Sequence, residues 1–168
     1  SIDEALVDIS SLCKNCANSN DIFKVVSKIK KELDLSTGCT VSCGCGGNVL
    51  LAKLALRKAK PDGIYVVSND HEIMITFLND IDVKNLPGFG TKLNDKLNTL
   101  IQLDNEENIT LKILREIPKD KLIATFGIKM GNKLYDQSRG IDDTSIDLLS
   151  DPEKYLRKSI GIDINWGI

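Results

Sequence analysis

The sequence predicts an α+β chain whose first half mixes strands and helices, whose second half is helical, and which ends on a strand. Three observations carry this. Short apolar runs alternate with amphipathic stretches up to about residue 80. Between 84 and 140 no convincing strand appears, and Gly and Pro punctuate several short helical segments. Finally, Ile160, Ile162, Ile164, Trp166 and Ile168 alternate strictly with Gly161, Asp163, Asn165 and Gly167, the period of a strand with one buried face.

The elements follow in order. Ala5–Ser10 is short and apolar and reads as a core strand. Asn20 or Asp21 can cap a helix running to about Leu35. Ile22, Val25, Val26, Ile29 and Leu33 follow helical spacing along it, while Lys24, Lys28, Lys30 and Lys31 fill the wet side. Gly38 suits its end. Cys39–Cys45 reads as a strand. Gly44, Gly46 and Gly47 then turn the chain into a helix from Asn48 to about Ala59, stopped by Lys60-Pro61-Asp62-Gly63. Ile64–Val67 is another strand, and Asn69-x-x-Glu72 resembles a capping box for a short helix to about Leu78. The pattern changes near residues 80–84. Residues 141–153 carry Asp142, Asp143, Asp147, Asp151 and Glu153 with no Lys or Arg, and read as a solvated linker.

Composition excludes several classes. With 168 residues and 42% hydrophobic content, the chain can bury a core and is too apolar for disorder. No apolar run approaches the ~20 residues of a membrane helix. A net charge of −2 excludes a globally basic nucleic-acid binder but not local basic patches. Aromatic content of 5% argues against single-strand binding by stacked bases. The chain begins at Ser1 without a signal-peptide pattern. Its five cysteines (13, 16, 39, 43, 45) are an odd count, which favours free thiols in a reducing compartment. Cys43-x-Cys45 is not a usual zinc spacing, so buried small hydrophobes are the better reading.

Four places could carry chemistry. Asp3 and Glu4 are either an exposed acidic terminus or, where the backbone turns, a pair of hard oxygen ligands suited to Mg²⁺. Spacing alone favours the former. Lys53, Arg57 and Lys60 lie on one helical stripe with Lys58 beside it, giving +3 over residues 53–62. Lys60, before a Pro-fixed turn, can hold a triphosphate as a point charge; a solvated basic face is the bland alternative. Leu86-Pro87-Gly88-Phe89-Gly90 is a Gly-x-Gly hairpin that can expose backbone N–H groups to phosphate. Lys84, Lys92 and Lys96 surround it, and residues 84–100 net +2. A plain helix–helix turn fits the same residues. Gly127–Gly131 is a weaker hairpin of the same kind. His71, the single histidine, reads as a surface residue, and no nucleophilic triad can be assembled.

Taken together, these blocks resemble the Y-family translesion DNA polymerases. Ser1-Ile2-Asp3-Glu4-Ala5 is similar to that family's S-x-D-E-A motif. Ser42-Cys43-Gly44-Cys45-Gly46-Gly47-Asn48 and Lys58-Ala59-Lys60-Pro61-Asp62-Gly63 resemble the next palm segment. Leu86–Gly90 resembles the thumb hairpin, and Arg157–Ile168 the opening of the little finger domain. The ending Ile164-Asn165-Trp166-Gly167-Ile168 is similar to the deoxycytidyl-transferase branch. The blocks fall in family order across nearly the whole chain. Cys43 and Cys45 stand where the family usually has Val and Ile, Gly47 replaces a common Ser, and Ile2 a frequent Cys.

The resemblance implies a partial polymerase palm at 1–82, a mixed sheet with helices on one face. A small all-helical thumb at 83–140, an acidic linker at 141–156, and the first little-finger strand at 157–168 would follow. It implies Asp3 and Glu4 as catalytic carboxylates holding two Mg²⁺ ions, Lys60 on the incoming triphosphate, and Gly88, Gly90 and Lys92 on the DNA backbone. It leaves the Lys53–Arg57 face open between a structural role and approach to the nucleotide. The implied parent enzyme inserts dCMP from dCTP on primer–template DNA, in the nucleus, with other translesion polymerases and the sliding clamp as partners. The family's first catalytic Asp and its fingers are expected upstream of Ser1 and most of the little finger beyond Ile168, so the 168 residues alone are expected to be inactive. A broader-choice Y-family enzyme, or a non-catalytic helix-hairpin-helix DNA-binding module, are the competing readings.

Overall fold

A computed structural model describes residues 4–16, 18–102, 108–144 and 146. Asp3 and the strand expected at 157–168 lie outside the described residues, as does most of the acidic stretch after Asp143. Helix α1 spans Ser19–Thr37. A βαβ unit follows: β1 Cys43–Cys45, α2 Val49–Ala59 and β2 Ile64–Val66. Then come α3 His71–Asn79, α4 Thr91–Ile101, α5 Leu111–Glu116, α6 Lys119–Phe126 and α7 Ile128–Gln137. Short 3-10 turns occupy Ser10–Leu12 and Val83–Asn85. The α+β class holds. Among the described residues the sheet is a parallel pair, with Cys43 beside Ile64, Gly44 beside Tyr65 and Cys45 beside Val66.

Local chemistry explains the boundaries. Asn18, not Asn20 or Asp21, caps α1 by accepting from the Asn20 N–H. Gly38 ends it at φ 67°, a conformation that costs glycine little. Asn48 caps α2 through the Leu51 N–H at 2.9 Å. Asp70, not Asn69, caps α3 through the Ile73 N–H at 3.0 Å, and the Asn69 amide reaches the Cys16 carbonyl instead. The run Ala5–Ser10 is not a strand. A strand needs a neighbour for its backbone groups, and among the described residues none lies beside it; Leu6 and Val7 are exposed. Strands β1 and β2 are likewise shorter than the apolar runs that contain them.

One apolar core runs through both halves. Leu50, Leu51, Leu54 and Ala55 of α2 share it with Phe77 and Leu78 of α3, Leu97, Leu111, Leu114, Leu122 and Leu134. Each fully buried leucine contributes roughly 1.5–3 kcal/mol. An antiparallel bridge between Asp82 and Thr110 closes the helical half, with the Val83 N–H on the Ile109 carbonyl (2.9 Å) and the Leu111 N–H on that of Ile81 (2.8 Å). Helices α6 and α7 meet so closely that a Cβ on Gly131 would lie 2.6 Å from Ile123 Cα. Arg115 joins α5 to the Ser138 carbonyl (3.0 Å) and to Asn79 of α3, and Arg139 lies 3.5 Å over the Tyr135 ring. Burial, helped by neighbouring Arg139, holds the Arg115 guanidinium below the ordinary arginine range.

Candidate functional site

Lys60 is the residue that α2 delivers. Its N–H bonds the Leu56 carbonyl at 3.1 Å, so it is the last residue of the helical spiral before the chain turns extended. The turn behind it is fastened on three sides. Ser42 donates to the Pro61 carbonyl at 2.8 Å. The Gly63 N–H returns to the Ala59 carbonyl at 2.6 Å. Lys30 of α1 pairs with Asp62 and also donates to the Val41 carbonyl at 2.7 Å. Lys30 therefore is not on the wet side of α1, as its spacing suggested; its ammonium staples the turn. The Lys60 side chain itself is exposed, a charge on a fixed base, which is what anion binding needs.

The basic stripe on α2 divides. Arg57 donates to Asn85 Oδ1 at 3.0 Å, which ties α2 to the 3-10 turn that leads into the hairpin. Lys58 hangs over the Tyr65 and Phe77 rings at 6.0 and 5.7 Å. Those two exposed positions make contacts within the fold, and Lys53 and Lys60 are exposed as well. Arg57 lies three residues before Lys60, and Asn85 directly precedes Leu86. This bond therefore ties the last turn of α2, which leads to Lys60, to the residue that precedes the hairpin.

The hairpin has the form its sequence suggests, with a 3-10 turn rather than an α-helix before it. Gly88 adopts φ 83°, and Gly90 opens α4 without a side-chain cap. Leu86 and Phe89 are buried, whereas Gly88 and Gly90 face solvent. A Cβ at Gly90 would meet nothing within 4 Å. Lys84 and Lys92 are exposed on either side. One residue was missed by sequence reasoning: Lys133 of α7 places its Nζ 3.5 Å from where a Gly88 Cβ would stand. Nothing local could reveal it, since 45 residues separate the two. The hairpin thus has two exposed glycines, the Lys133 ammonium beside one of them, and exposed Lys84 and Lys92 flanking it in sequence, with Asp82 and Asp95 as the flanking acids in sequence. The Gly127–Gly131 segment behaves differently. Gly127 turns at φ 82° and is exposed, but Gly131 is buried against the α6 backbone, so it serves helix packing and not a phosphate cradle.

Of the two carboxylates, Glu4 is exposed and lies in no regular element. Asp3 lies outside the described residues. Among the described residues no group of three His, Cys, Asp or Glu is gathered for a metal. Cys13, Cys16, Cys39, Cys43 and Cys45 are free. Burial pushes the Cys45 thiol up to about 11, and Cys43 in the same direction, consistent with packing residues of the sheet. Asp142 departs from the solvated role expected of its segment. Its Oδ2 accepts the Leu50 N–H at 2.9 Å, at the start of α2.

Comparison with known proteins bears directly on this arrangement. Residues 1–57 match the impB/mucB/samB family, and residues 84–142 match the thumb domain described for DNA polymerase-iota. The whole chain aligns at 39% identity with the DNA repair protein rev1 of Schizosaccharomyces pombe, spanning 16% of that protein. It aligns at 38% with the DNA repair protein REV1 of Arabidopsis thaliana, spanning 14%. The chain therefore covers only a small part of these relatives. In three dimensions it is similar to the insertion ternary complex of Dbh DNA polymerase, with a TM-score of 0.68 at 23% identity over 84% of this chain and 38% of the other, a likeness of fold. The chain is a segment of a Y-family DNA polymerase, comprising an impB/mucB/samB portion followed by the thumb.

Proposed function

We propose that this chain is part of a translesion DNA polymerase that transfers dCMP from dCTP to a primer 3′-hydroxyl opposite template G, abasic sites and bulky lesions. The observation that carries this reading is the alignment of the entire chain with the rev1 relatives. In this reading residues 1–82 are the palm segment and 83–140 the thumb. Residues 141–156 are the linker, and 157–168 the first strand of the next domain.

The roles follow from charge and placement. Asp3 and Glu4 are the carboxylates that would hold Mg²⁺; their hard oxygen donors fit that ion. When bound, two such ions make the 3′-hydroxyl more acidic and neutralise charge on the departing pyrophosphate. The chain's own part is positioning. Lys60 steadies the triphosphate with a positive charge on a braced turn, so that the primer oxygen meets the α-phosphorus in line. A bond from that oxygen to the α-phosphorus forms, the bond from phosphorus to the α,β-bridging oxygen breaks with its electron pair leaving on pyrophosphate, and the hydroxyl proton passes to solvent water. Gly88, Gly90 and Lys92, joined by Lys84 and Lys133, hold the duplex backbone through N–H donors and ammonium charge, without reading sequence. Nuclear location, and contacts to other translesion polymerases and the sliding clamp, complete the proposal and rest on the rev1 likeness.

Primer extension with Mg²⁺ and each single dNTP tests it. The longer parent chain is expected to insert dCMP in preference to the other three nucleotides, and the 168 residues alone to insert none. A parent with equal use of all four nucleotides would reduce the reading to a Y-family polymerase of broader choice. A parent that binds duplex but never extends would leave a DNA-binding module.

A further inference from the structure

The apolar core shared by the two halves of the chain brings them together and packs them, and polar bonds add directional ties. Arg115 of α5 on Asn79 of α3 is one; several others gather at the ends of α2. At its start, Asn48 uses both ends of its amide. Its oxygen accepts the Leu51 N–H at 2.9 Å, and its nitrogen donates to the Gly140 carbonyl at 2.7 Å. Asp142 also uses both oxygens. Oδ2 takes the Leu50 N–H at 2.9 Å; Oδ1 takes the Thr144 N–H at 3.2 Å and its hydroxyl at 2.6 Å. Two backbone donors that the first turn of α2 leaves open are thereby satisfied, one by a group 92 residues away. A negative charge at a helix start is favourable as well. Between these bonds Gly140 sits at φ 74°, where a Cβ would come 2.9 Å from Met74 Sδ and 3.1 Å from Leu78 Cδ1. The chain leaving α7 is thus pressed onto α3 and bolted to the start of α2. At the other end of α2, Arg57 bonds Asn85, beside the hairpin.

We infer that Asn48 and Asp142 form a latch that fixes the helical half on the βαβ half, and so sets the span between Lys60 at the far end of α2 and the phosphate-binding hairpin at 86–90. Asp142 is a positioning residue: it acts on the nucleotide and the duplex through α2. The functional half of this inference rests on the proposed polymerase role; the geometric half does not.

Residual dipolar couplings from the 168-residue chain test the geometric half, with Asp142→Ala as the main variant and Asp142→Asn as the conservative one. In the unaltered chain, couplings from α2 and from α7 should fit one alignment frame. In Asp142→Ala each half should still fit its own frame while the common fit is lost, and the Leu50 amide should lose hydrogen-exchange protection. Asp142→Asn, which keeps one acceptor oxygen, should restore most of both. A single common frame in Asp142→Ala overturns the latch. Should Asp142→Ala fail to fold, Asn48→Ser supplies a second comparison, since it keeps a capping oxygen for α2 but loses the donor to the Gly140 carbonyl. Affinity for a primer–template duplex tests the functional half: it should fall about five-fold in Asp142→Ala. A shifted frame with unchanged duplex affinity would overturn the functional half alone. No duplex binding by the unaltered chain would instead count against the hairpin role on which that half rests.

Discussion

Gly44 is the position where α2 comes closest to the sheet, and it offers a sharp test of the packing that carries Lys60. A Cβ there would lie 2.1 Å from the Leu56 N, 2.4 Å from the Ala52 carbonyl oxygen and 2.5 Å from Leu56 Cα. All three are backbone atoms of α2, so no side chain can swing aside. To reach ordinary contact the helix must retreat by roughly 1.5 Å. That retreat opens the contact of Leu50, Leu51 and Leu54 with the core. Overpacking costs about 1–3 kcal/mol where side chains can adapt, so Gly44→Ala should cost about 3 kcal/mol. For a chain of this size that lowers Tm by about 10 °C. Gly90→Ala is the matched control. Its φ is −104° and its surroundings are open, so its Tm should move by less than about 2 °C. Thermal melts followed by circular dichroism at 222 nm read both. A Gly44→Ala chain that melts within 2 °C of the unaltered one would refute the close approach of α2 to β1.

Other outcomes follow from the same geometry. Lys133→Gln should lower the salt-dependence slope of duplex binding by about one, because one phosphate contact is lost; an unchanged slope removes Lys133 from the interface. Arg57→Ala should lower stability by about 1 kcal/mol through loss of the Asn85 bond. Lys53→Ala should change it by less than about 0.5 kcal/mol, with urea melts giving both. The Cys45 thiol is raised to about 11 in the fold against 9.0 for the free group. The folded state therefore favours the neutral thiol; this contribution is complete below about 9 and lost as pH rises toward 11. Urea melts of Cys45→Val should show a smaller loss of stability across that window than the unaltered chain, and equal losses would contradict the burial of this thiol.

Where a signal is local, the sequence carried it. Gly38 after an amphipathic run ends α1, and Asn48 before one starts α2, because capping acts within a few residues. Helices separated by Gly and Pro stood out between 84 and 140 for the same reason. The run Ala5–Ser10 misled because strand formation depends on a partner that composition does not reveal. Caps moved by one to three residues, to Asn18 and Asp70, since several polar side chains compete at each start. Of the candidate site, the placement of Lys60 before its turn and the form of the hairpin were legible from turn chemistry. Lys133 beside Gly88, Arg57 on Asn85 and Asp142 on Leu50 were not, because each joins segments distant in sequence. Gly131 was misread for a related reason: a glycine that exposes backbone and one that admits a neighbouring helix look alike in sequence.

The proposed function turns on Asp3 and Glu4 as the metal-holding carboxylates of a polymerase whose grip on DNA lies elsewhere, at the hairpin. Its most direct test is single-nucleotide extension with dCTP and Mg²⁺ by the parent chain carrying Asp3→Ala and Glu4→Ala, with duplex affinity measured on the same preparations. Removing groups that stabilise transition-state charge should cut extension at least ~10³-fold, while duplex affinity stays within about two-fold. Extension that survives the double substitution within ten-fold would contradict the claim.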